Sequence, residues 1–342
     1  MKILLFTDLH MCPRASIINK WGTKYPARLE NCIASLNWLE HKAAELGCEY
    51  IINLGDFFDK PDLTSETITA CNDIEWSNIM HYHLVGNHDA SNSSLTCNSA
   101  NSVLYHNHRI ISTPQVLPLV DCDICFLPYV TECDRKPLAE YFKNLDPNTP
   151  KVLLSHNDIS GIQLGPVVSK TGFSLEEIEA NCSLFINGHL HNGQALTPKV
   201  INLGNLTGKD FGEDASKHSH NVAVLDTKTL ALTYIENPYA YNFYKIQIDT
   251  ENDMDQLNSL KTNAVVSVKC EQHIIEVVKQ KIESTDNISE SRIIMTKQFN
   301  ETAEESSGID LSVDHLSKFI ECCKATIENS PLLDEELSEI CK

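Results

Sequence analysis

The sequence lacks three features that would each indicate a particular class of protein. No apolar run in its 342 residues approaches the roughly 20 residues that a membrane-spanning helix requires. Basic side chains are few: 27 lysines and arginines face 47 aspartates and glutamates, and the net charge of −20 gives no sign of the basic face typical of nucleic-acid-binding proteins. The thirteen cysteines contain a single C-x-x-C spacing, Cys122 to Cys125, which predicts strand residues in a reducing cytosol rather than a zinc site.

The beginning of the chain also lacks the pattern of a cleavable signal. Lys2 to Phe6 reads as a strand that leads directly into a polar motif. We therefore expect a cytoplasmic protein with no membrane attachment.

What the sequence does contain is a series of five polar motifs, each preceded by a short apolar run. The motifs are Asp8-Leu9-His10, Gly55-Asp56-Phe57-Phe58-Asp59, Gly86-Asn87-His88-Asp89, Ser155-His156-Asn157 and Gly188-His189-Leu190-His191. The runs are Ile3 to Phe6, Tyr50 to Leu54, Tyr82 to Val85, Lys151 to Leu154 and Cys182 to Asn187. Such runs predict buried strands, and in a layered α/β sheet the ligand-binding residues lie just past the strand ends. One site could therefore collect all five motifs.

The residue types in these motifs indicate metal chemistry. Carboxylates, one amide and several imidazoles, without thiolate, suit two closely spaced divalent cations that hydrolyse a phosphate ester. Each motif alone has a structural alternative, since Asp-x-His and Gly-Asp are common and Gly86 to Asp89 could be a strand-ending turn. Five motifs in this order after five strand-like runs favour the metal site.

This pattern resembles the calcineurin-like metallophosphoesterase superfamily over roughly residues 1–240. The resemblance implies a four-layer α/β/β/α sandwich. It also implies that Asp8, His10, Asp56 and His191 hold one cation, and that Asp56, Asn87, His156 and His189 hold the other, with Asp56 as the bridge. A water shared by two cations has its pKa lowered to about 7 in the best-studied zinc case, so hydroxide is available without a side-chain base. The closest resemblance favours manganese.

The same resemblance separates one histidine from the ligands. His88 follows Asn87 but would act near the leaving-group oxygen, as general acid or transition-state stabiliser. Asp89 would be its orienting partner.

Further segments resemble the SbcD-type nucleases of double-strand-break repair, including phage recombination nucleases. One is Gly55-Asp56-Phe57-Phe58-Asp59-Lys60-Pro61, and the more discriminating one runs from Ile201 to Asp214. In that block we expect Asn205, Lys209 and Phe211 to bind substrate. The resemblance implies DNA as substrate and an SMC-like, SbcC-type ATPase as partner, with a homodimer as a further expectation.

The tail divides into three predicted parts. Strands at Tyr244 to Ile248, Ala264 to Val268 and Arg292 to Met295, with a helix from Glu271 to Ile282, predict a small α+β capping domain over residues 241–299. Residues 300–308 read as a polar linker. Apolar residues at helical spacing within residues 309–342 predict amphipathic helices that bind the ATPase, with packing on their own domain as the alternative.

We therefore predict a manganese-dependent DNA nuclease subunit, with phage origin as a further expectation, and keep two alternatives. One is a stand-alone phosphodiesterase or phosphatase acting on a nucleotide or small phosphoester. The other is a degenerate scaffold without metals, which the complete ligand set disfavours. The acidic charge predicts weak DNA binding by the isolated subunit. We expect surface or packing roles for the remaining histidines. His81 and His83 alternate on a predicted strand, His106 and His108 lie in a predicted polar turn, and His218 and His220 follow the block from Ile201 to Asp214.

Overall fold

The computed structural model describes residues 1–91, 95–103, 106–164 and 167–296. The predicted linker at residues 300–308 and the predicted helices at residues 309–342 lie outside the described residues. The first nine strands are β1 Lys2–Phe6, β2 Tyr50–Asn53, β3 Met80–Leu84, β4 His108–Ile111, β5 Gln115–Pro118, β6 Asp123–Leu127, β7 Lys151–Ser155, β8 Gln163–Leu164 and β9 Val167–Val168. The next eight are β10 Leu184–Asn187, β11 Gln194–Ala195, β12 Val200–Asn202, β13 Asn221–Asp226, β14 Leu232–Glu236, β15 Asn242–Ile248, β16 Ala264–Cys270 and β17 Ile288–Met295.

The helices are fewer. They are α1 Ala27–Glu45, α2 Ser65–Cys71, α3 Leu138–Tyr141, α4 Leu175–Asn181 and α5 Ile275–Glu283, with 3-10 turns at Ser99–Val103, Glu251–Ser259 and Gln272–Ile274. None of the helices in the described ranges is long and apolar enough to cross a membrane.

Two six-stranded sheets form the centre of the fold. Their strand orders are β14-β13-β1-β2-β3-β4 and β11-β12-β10-β7-β6-β5. Within the first sheet β1, β2, β3 and β4 are parallel, and within the second β6, β7, β10 and β12 are parallel. The strands that precede the five polar motifs therefore all belong to parallel parts of these sheets, so their carboxyl ends lie at one edge of each sheet.

The apolar runs are continuous because both faces of these strands are buried. From β1, Ile3 and Leu5 pack into a core shared with the second sheet, while Leu4 and Phe6 pack into a core shared with α1. Helix α1 packs against Leu4 and Phe6 through apolar side chains at helical spacing, namely Leu29, Cys32, Leu36 and Leu39. Helices α3 and α4 pack on the outer face of the second sheet. The predicted α/β/β/α sandwich is thus the observed layer order.

The third sheet, β15-β16-β17, is fully parallel and has its own core with Val278 and Ile282 of α5. All three strands occur where the sequence predicts them, and β17 begins four residues earlier, at Ile288. The predicted helix from Glu271 begins instead with the 3-10 turn Gln272–Ile274, followed by α5. Residues 1–296 form one compact unit. The predicted boundary between the catalytic and capping domains therefore stays a prediction.

Two smaller predictions have opposite outcomes. His108 is the first residue of β4 and is buried, so its predicted place in a polar turn is wrong. Cys125 lies on β6 and Cys122 just before it, and both are buried free thiols. Burial raises the pKa of the Cys125 thiol to about 12, so it is an inert core residue, as the sequence indicates.

Candidate metal centre

The loops that follow β1, β2, β3, β7 and β10 bring seven predicted ligand side chains into one cluster. Four of the ligand residues have a left-handed backbone, a conformation that non-glycine residues seldom adopt: Asp8 (φ 51°), His10 (φ 47°), Asp56 (φ 51°) and His189 (φ 72°). Such strained positions concentrate at functional sites, where the surrounding structure holds them. Ser16, Leu230 and Asn263 also have a left-handed backbone, but four such residues in one cluster agree with a functional site at this edge of the sheets.

Asp8, His10 and His191 form the first half of the cluster. One ligand atom from each lies within 4.8 Å of the other two. Nε2 of His10 lies 3.0 Å from Nε2 of His191 and 3.7 Å from Oδ1 of Asp8. The two imidazoles and the carboxylate oxygen therefore face one point, as the predicted first cation requires.

Asp56, His156 and His189 form the second half, again with ligand atoms within 4.8 Å of one another. Nε2 of His156 lies 3.1 Å from Oδ2 of Asp56, and Nδ1 of His189 lies 3.0 Å from Oδ1 of Asn87. Asp56 Oδ2 also lies 3.8 Å from Nε2 of His10, in the first half. Asp56 is thus placed between the two halves, where the prediction has it bridge two cations.

One observation tests whether divalent cations fit this donor set. Thr7 Oγ1 and the backbone N–H of His189 donate to Oδ2 of Asp8, at 2.6 and 2.9 Å. The other oxygen, Oδ1, is buried and has no hydrogen-bond partner among the described residues. A buried carboxylate oxygen without a partner is costly, and a cation beside His10 and His191 would satisfy it. The nitrogen and oxygen donors suit Mn²⁺, Fe²⁺ or Zn²⁺.

The charges in the cluster also fit cation binding. Burial alone would raise the pKa of Asp8, but the imidazoles of His156, His10 and His191 hold it below its ordinary value. Burial opposes protonation of His156, yet the carboxylates of Asp56 and Asp8 raise its pKa to about 9. The carboxylates therefore attract positive charge to this position, and a metal ion would displace that proton.

The four ligand imidazoles have outer partners that fix their rings. His10 Nδ1 lies 3.4 Å from Asp59 Oδ1, and His191 Nδ1 donates to Glu213 Oε1 at 3.1 Å. His156 Nδ1 donates to the carbonyl of Leu54 at 3.0 Å, and His189 Nε2 donates to Asp158 Oδ1 at 3.1 Å. Such partners orient a metal-binding histidine and raise its basicity.

Sequence reasoning did not assign roles to three of these partners. Asp59, Asp158 and Glu213 are carboxylates that lie within, or directly after, quoted motifs. For Asp59 and Asp158 the signal in the sequence is an acidic residue within or next to a ligand motif, and for Glu213 it is only an acidic residue in the block from Ile201 to Asp214. That signal does not say which ring nitrogen the carboxylate reaches.

His88 lies beside the first half of the cluster, with its ring 4.7 Å from the ring of His10 in an edge-on arrangement. Its Nδ1 donates to the backbone carbonyl of Asp59 at 2.8 Å. The expected pairing with Asp89 is wrong, because Asp89 accepts instead from the backbone N–H groups of Phe58 and Gly86, at 2.9 and 3.0 Å. Asp89 therefore joins the second and third motifs rather than orienting His88.

Burial sets the protonation of both residues. It lowers the pKa of the His88 imidazole, which therefore favours the neutral form at neutral pH. Burial and the nearby Asp56 carboxylate raise the pKa of Asp89 to about 7. One ligand atom of His88 also lies within 4.8 Å of atoms of His10 and Asp56, so the ring is near enough to contact a group bound at the centre.

Glycines allow the motifs to approach one another closely. A Cβ atom on Gly86 would overlap Oδ1 and the backbone nitrogen of Asp56. A Cβ atom on Gly55, which has a φ of 123°, would overlap the ring of His156. Both positions therefore require glycine for the ligands to keep their places.

The predicted substrate residues occupy three different environments. Asn205 is buried, and its amide donates to Glu213 Oε1 at 2.7 Å. Lys209 Nζ lies 2.5 Å from Asp59 Oδ1, at the edge of the first half. Phe211 is buried against Phe243 and beneath the Arg292 guanidinium, so it anchors the loop. Contact of these three residues with substrate stays a prediction.

A buried arginine connects this loop to the first motif. Arg28 of α1 is fully buried and donates to the carbonyl oxygens of Leu9 and Gly208, both at 2.9 Å, and to Thr207 Oγ1 at 3.3 Å. Leu9 lies between the ligands Asp8 and His10. The guanidinium therefore holds the backbone of the first motif against the loop.

The other histidines have structural partners. His218 Nδ1 and His220 Nδ1 donate to the carbonyls of Gly193 and Asn205, at 3.0 and 3.1 Å. His81, His83 and His108 are buried in a stack on β3 and β4. These contacts agree with the packing roles that we expect from the sequence.

Comparison with known proteins assigns this fold and site to a family. A family model described as calcineurin-like phosphoesterase matches residues 1–193. Solved structures similar to this chain include TT1561 of Thermus thermophilus, with 13% identity over 69% of this chain and 98% of that chain and a TM-score of 0.40. Others are the calcineurin-like phosphoesterase YfkN from Bacillus subtilis (12% identity, 69% and 88% covered, TM-score 0.36) and a dimetal phosphatase from Danio rerio (14%, 65% and 91%, 0.39). No curated protein sequence matches the chain.

Proposed function

The chain belongs to the calcineurin-like phosphoesterase family, and from that premise we propose that it is a dinuclear metal-dependent DNA nuclease subunit of the SbcD type. The observation that carries the proposal is the loop from Asn205 to Asp214, which lies against the ligand cluster through Glu213 and Lys209. Its sequence is the part of the chain most specific to these nucleases. The hydrolytic centre itself follows from the family.

Different residues of the chain would hold the two cations and orient the side chains that hold them. Asp8, His10, Asp56 and His191 would hold one cation, and Asp56, Asn87, His156 and His189 the other. Two such cations supply Lewis acidity and a nucleophile at neutral pH. Asp59, Asp158 and Glu213 keep the ligand rings in place, because each accepts from or faces the ring nitrogen away from the cluster.

His88 is the residue that we assign to the leaving group. The Asp59 carbonyl accepts the hydrogen bond from Nδ1 and fixes the ring, so Nε2 is left to contact the substrate. Because Nδ1 carries the proton of the neutral ring, Nε2 must first take up a second proton from solvent, and that proton would pass to the departing oxygen of the phosphodiester as its bond to phosphorus breaks. Burial lowers the pKa of the imidazole, so the protonated ring is a stronger acid and returns to its neutral form once that proton has left.

Lys209 provides positive charge in an otherwise acidic protein. Its side chain is 19% exposed, and its Nζ lies 3.3 Å from Nδ1 of His10. A cation at this position would attract a substrate phosphate next to the metal ligands. Because the whole chain has a net charge of −20, we propose that an SMC-like ATPase provides most of the DNA-binding surface, with residues 309–342 as its binding segment. We further propose manganese as the metal and the cytoplasm as the location.

The proposal is tested by comparing hydrolysis of end-labelled linear duplex DNA with that of bis(p-nitrophenyl) phosphate, in Mn²⁺ and at low salt. We expect both to be hydrolysed, with DNA digestion weak and only gently dependent on salt, because the salt dependence scales with the number of phosphates that basic side chains neutralise. The Asp56→Asn variant is the matched control, since it removes one charge from the bridging ligand and should abolish both activities.

A second comparison separates nuclease from small-molecule enzyme. Deleting residues 309–342 should leave hydrolysis of the small diester intact and abolish binding to a co-expressed SMC-like ATPase. Rapid turnover of free nucleotides, with duplex DNA left intact even when the ATPase is present, would refute the nuclease assignment and support a stand-alone phosphodiesterase.

A further inference from the structure

The loop that follows the last ligand motif reaches back to the His191 ring through a buried carboxylate. Glu213 is 5% exposed, and its Oε1 accepts from Nδ1 of His191 at 3.1 Å and from the Asn205 amide at 2.7 Å. The backbone N–H of Lys209 donates to both carboxylate oxygens, at 3.0 and 3.1 Å. One side chain therefore closes the loop on itself and holds the His191 ring.

The same loop also contacts a second ligand. Lys209 Nζ lies 2.5 Å from Asp59 Oδ1 and 3.3 Å from His10 Nδ1. Asp59 Oδ1 lies 3.4 Å from that same ring nitrogen. The outer nitrogen of His10 therefore faces a carboxylate whose position depends on a lysine of the loop.

Both of these histidines belong to the same half of the cluster. The histidines of the other half have outer partners elsewhere in the fold, namely the Leu54 carbonyl for His156 and Asp158 for His189. Across the described ranges, no hydrogen bond joins residues 205–214 to His156, His189 or Asn87. The loop is thus connected to one half of the centre and not to the other.

We propose that the loop from Asn205 to Glu213 sets the affinity of one cation, the cation held by His10 and His191, with Glu213 and Asp59 as positioning residues. The inference deepens the proposed function and rests on it only in taking the centre as dinuclear. A phosphoester that moves this loop changes the occupancy of that cation, and by reciprocity that cation changes the affinity for the phosphoester. The cation held by His156 and His189 is independent of the loop.

The first measurement is a manganese titration of purified full-length protein without nucleic acid. The second is anomalous diffraction from crystals that are equilibrated at the manganese concentration at which the weaker site of the variant is half filled. In Glu213→Gln an NH₂ group replaces one carboxylate oxygen and points a hydrogen at a group that itself donates, the Lys209 N–H or the Asn205 amide. The contact with His191 is therefore lost, or the loop is displaced. We expect one of two sites to weaken about 10- to 100-fold, the scale seen for outer partners of metal ligands. The anomalous peak beside His191 should fade while the peak beside His189 remains.

Two matched variants make the result specific. Asp214→Asn removes the same charge from the next residue of the chain and should leave both peaks, because among the described residues its carboxylate binds only Ser216 and Lys217. Asp158→Asn removes the outer partner of His189 and should produce the reverse pattern, with the peak beside His189 fading.

Asp59→Asn is the second test, in case Glu213→Gln does not fold. Asp59 lies outside the loop, and its loss should weaken the same cation as loss of Glu213. Equal weakening of both sites in either variant, or two unchanged sites, would overturn the proposal. Metal binding is measured without DNA, so its outcome is separate from the nuclease assignment. If Glu213→Gln loses one cation selectively but DNA is not digested, only the nuclease assignment is refuted.

Discussion

Lowering the pH from neutral to about 5 should destabilise the protein through two buried histidines. His83 on β3 and His108 on β4 are 5% and 4% exposed, and Nε2 of His83 lies 3.2 Å from Nδ1 of His108. The Trp76 ring meets His108 edge-on at 4.6 Å, and His81 stacks on the same His108 ring at 4.3 Å. Nε2 of His81 donates to Glu40 at 2.7 Å. The site holds no carboxylate within hydrogen-bond range of His83 among the described residues.

The pKa shifts give the sign and size of the effect. Burial and the imidazoles of His108 and His81 hold the pKa of His83 well below its ordinary value. Burial and the imidazole of His81 lower the pKa of His108 to about 3. Unfolded histidine titrates near 6.5, so between these values only the unfolded chain binds the proton. The folded state loses about 1.4 kcal/mol per pH unit and per histidine below about pH 6.5, or about 2 kcal/mol for each at pH 5.

Urea unfolding at about pH 7.5 and about pH 5 measures this loss. Other groups also titrate, so the informative quantity is the difference between the wild type and His108→Asn, which removes one titrating ring from the stack. The variant's free energy of unfolding should depend on pH less than the wild type's by about 2 kcal/mol over this interval. His41→Asn, which removes an imidazole from the exposed face of α1, is the control for the substitution itself. An unchanged pH dependence in His108→Asn would refute the reasoning.

Three further predictions concern the metal centre and its support. His88→Ala should bind two manganese ions in calorimetry yet lose activity about 10²-fold or more, whereas His189→Ala should lose one ion; loss of metal by His88→Ala would make that residue a ligand. Gly86→Ala should reduce hydrolysis of a small diester by about 10²-fold, because its Cβ overlaps Asp56 and displaces the bridging carboxylate, and unchanged kinetics would contradict the close approach. Arg28→Met should lower the free energy of unfolding by about 2–4 kcal/mol, since it leaves two buried carbonyls without donors, and a neutral result in urea unfolding would show that water replaces the guanidinium.

The sequence by itself indicated the strands that precede the motifs and the residues of the candidate ligand set. Runs such as Ile3 to Phe6 and Lys151 to Leu154 are apolar almost throughout because both faces of their strands are buried, so their pattern is visible without a structure. Motifs that follow such strands must lie at one edge of the sheets, and this local rule placed Asp56 and His156 in a common cluster. Nothing beyond chain order and strand character was needed for that inference.

Only the tertiary structure decided which groups hold the ligands in place. Glu213 reaches His191 across 22 residues of sequence, and the Asp59 carbonyl reaches His88 across 29, so both contacts depend on how separate loops pack. The resemblance suggested Asp89 as the partner of His88, but the Asp89 carboxylate accepts from two backbone N–H groups of neighbouring turns instead. The orientation of a side chain depends on backbone conformations such as the left-handed turns at the ligands, and these arise from packing, which no local pattern encodes.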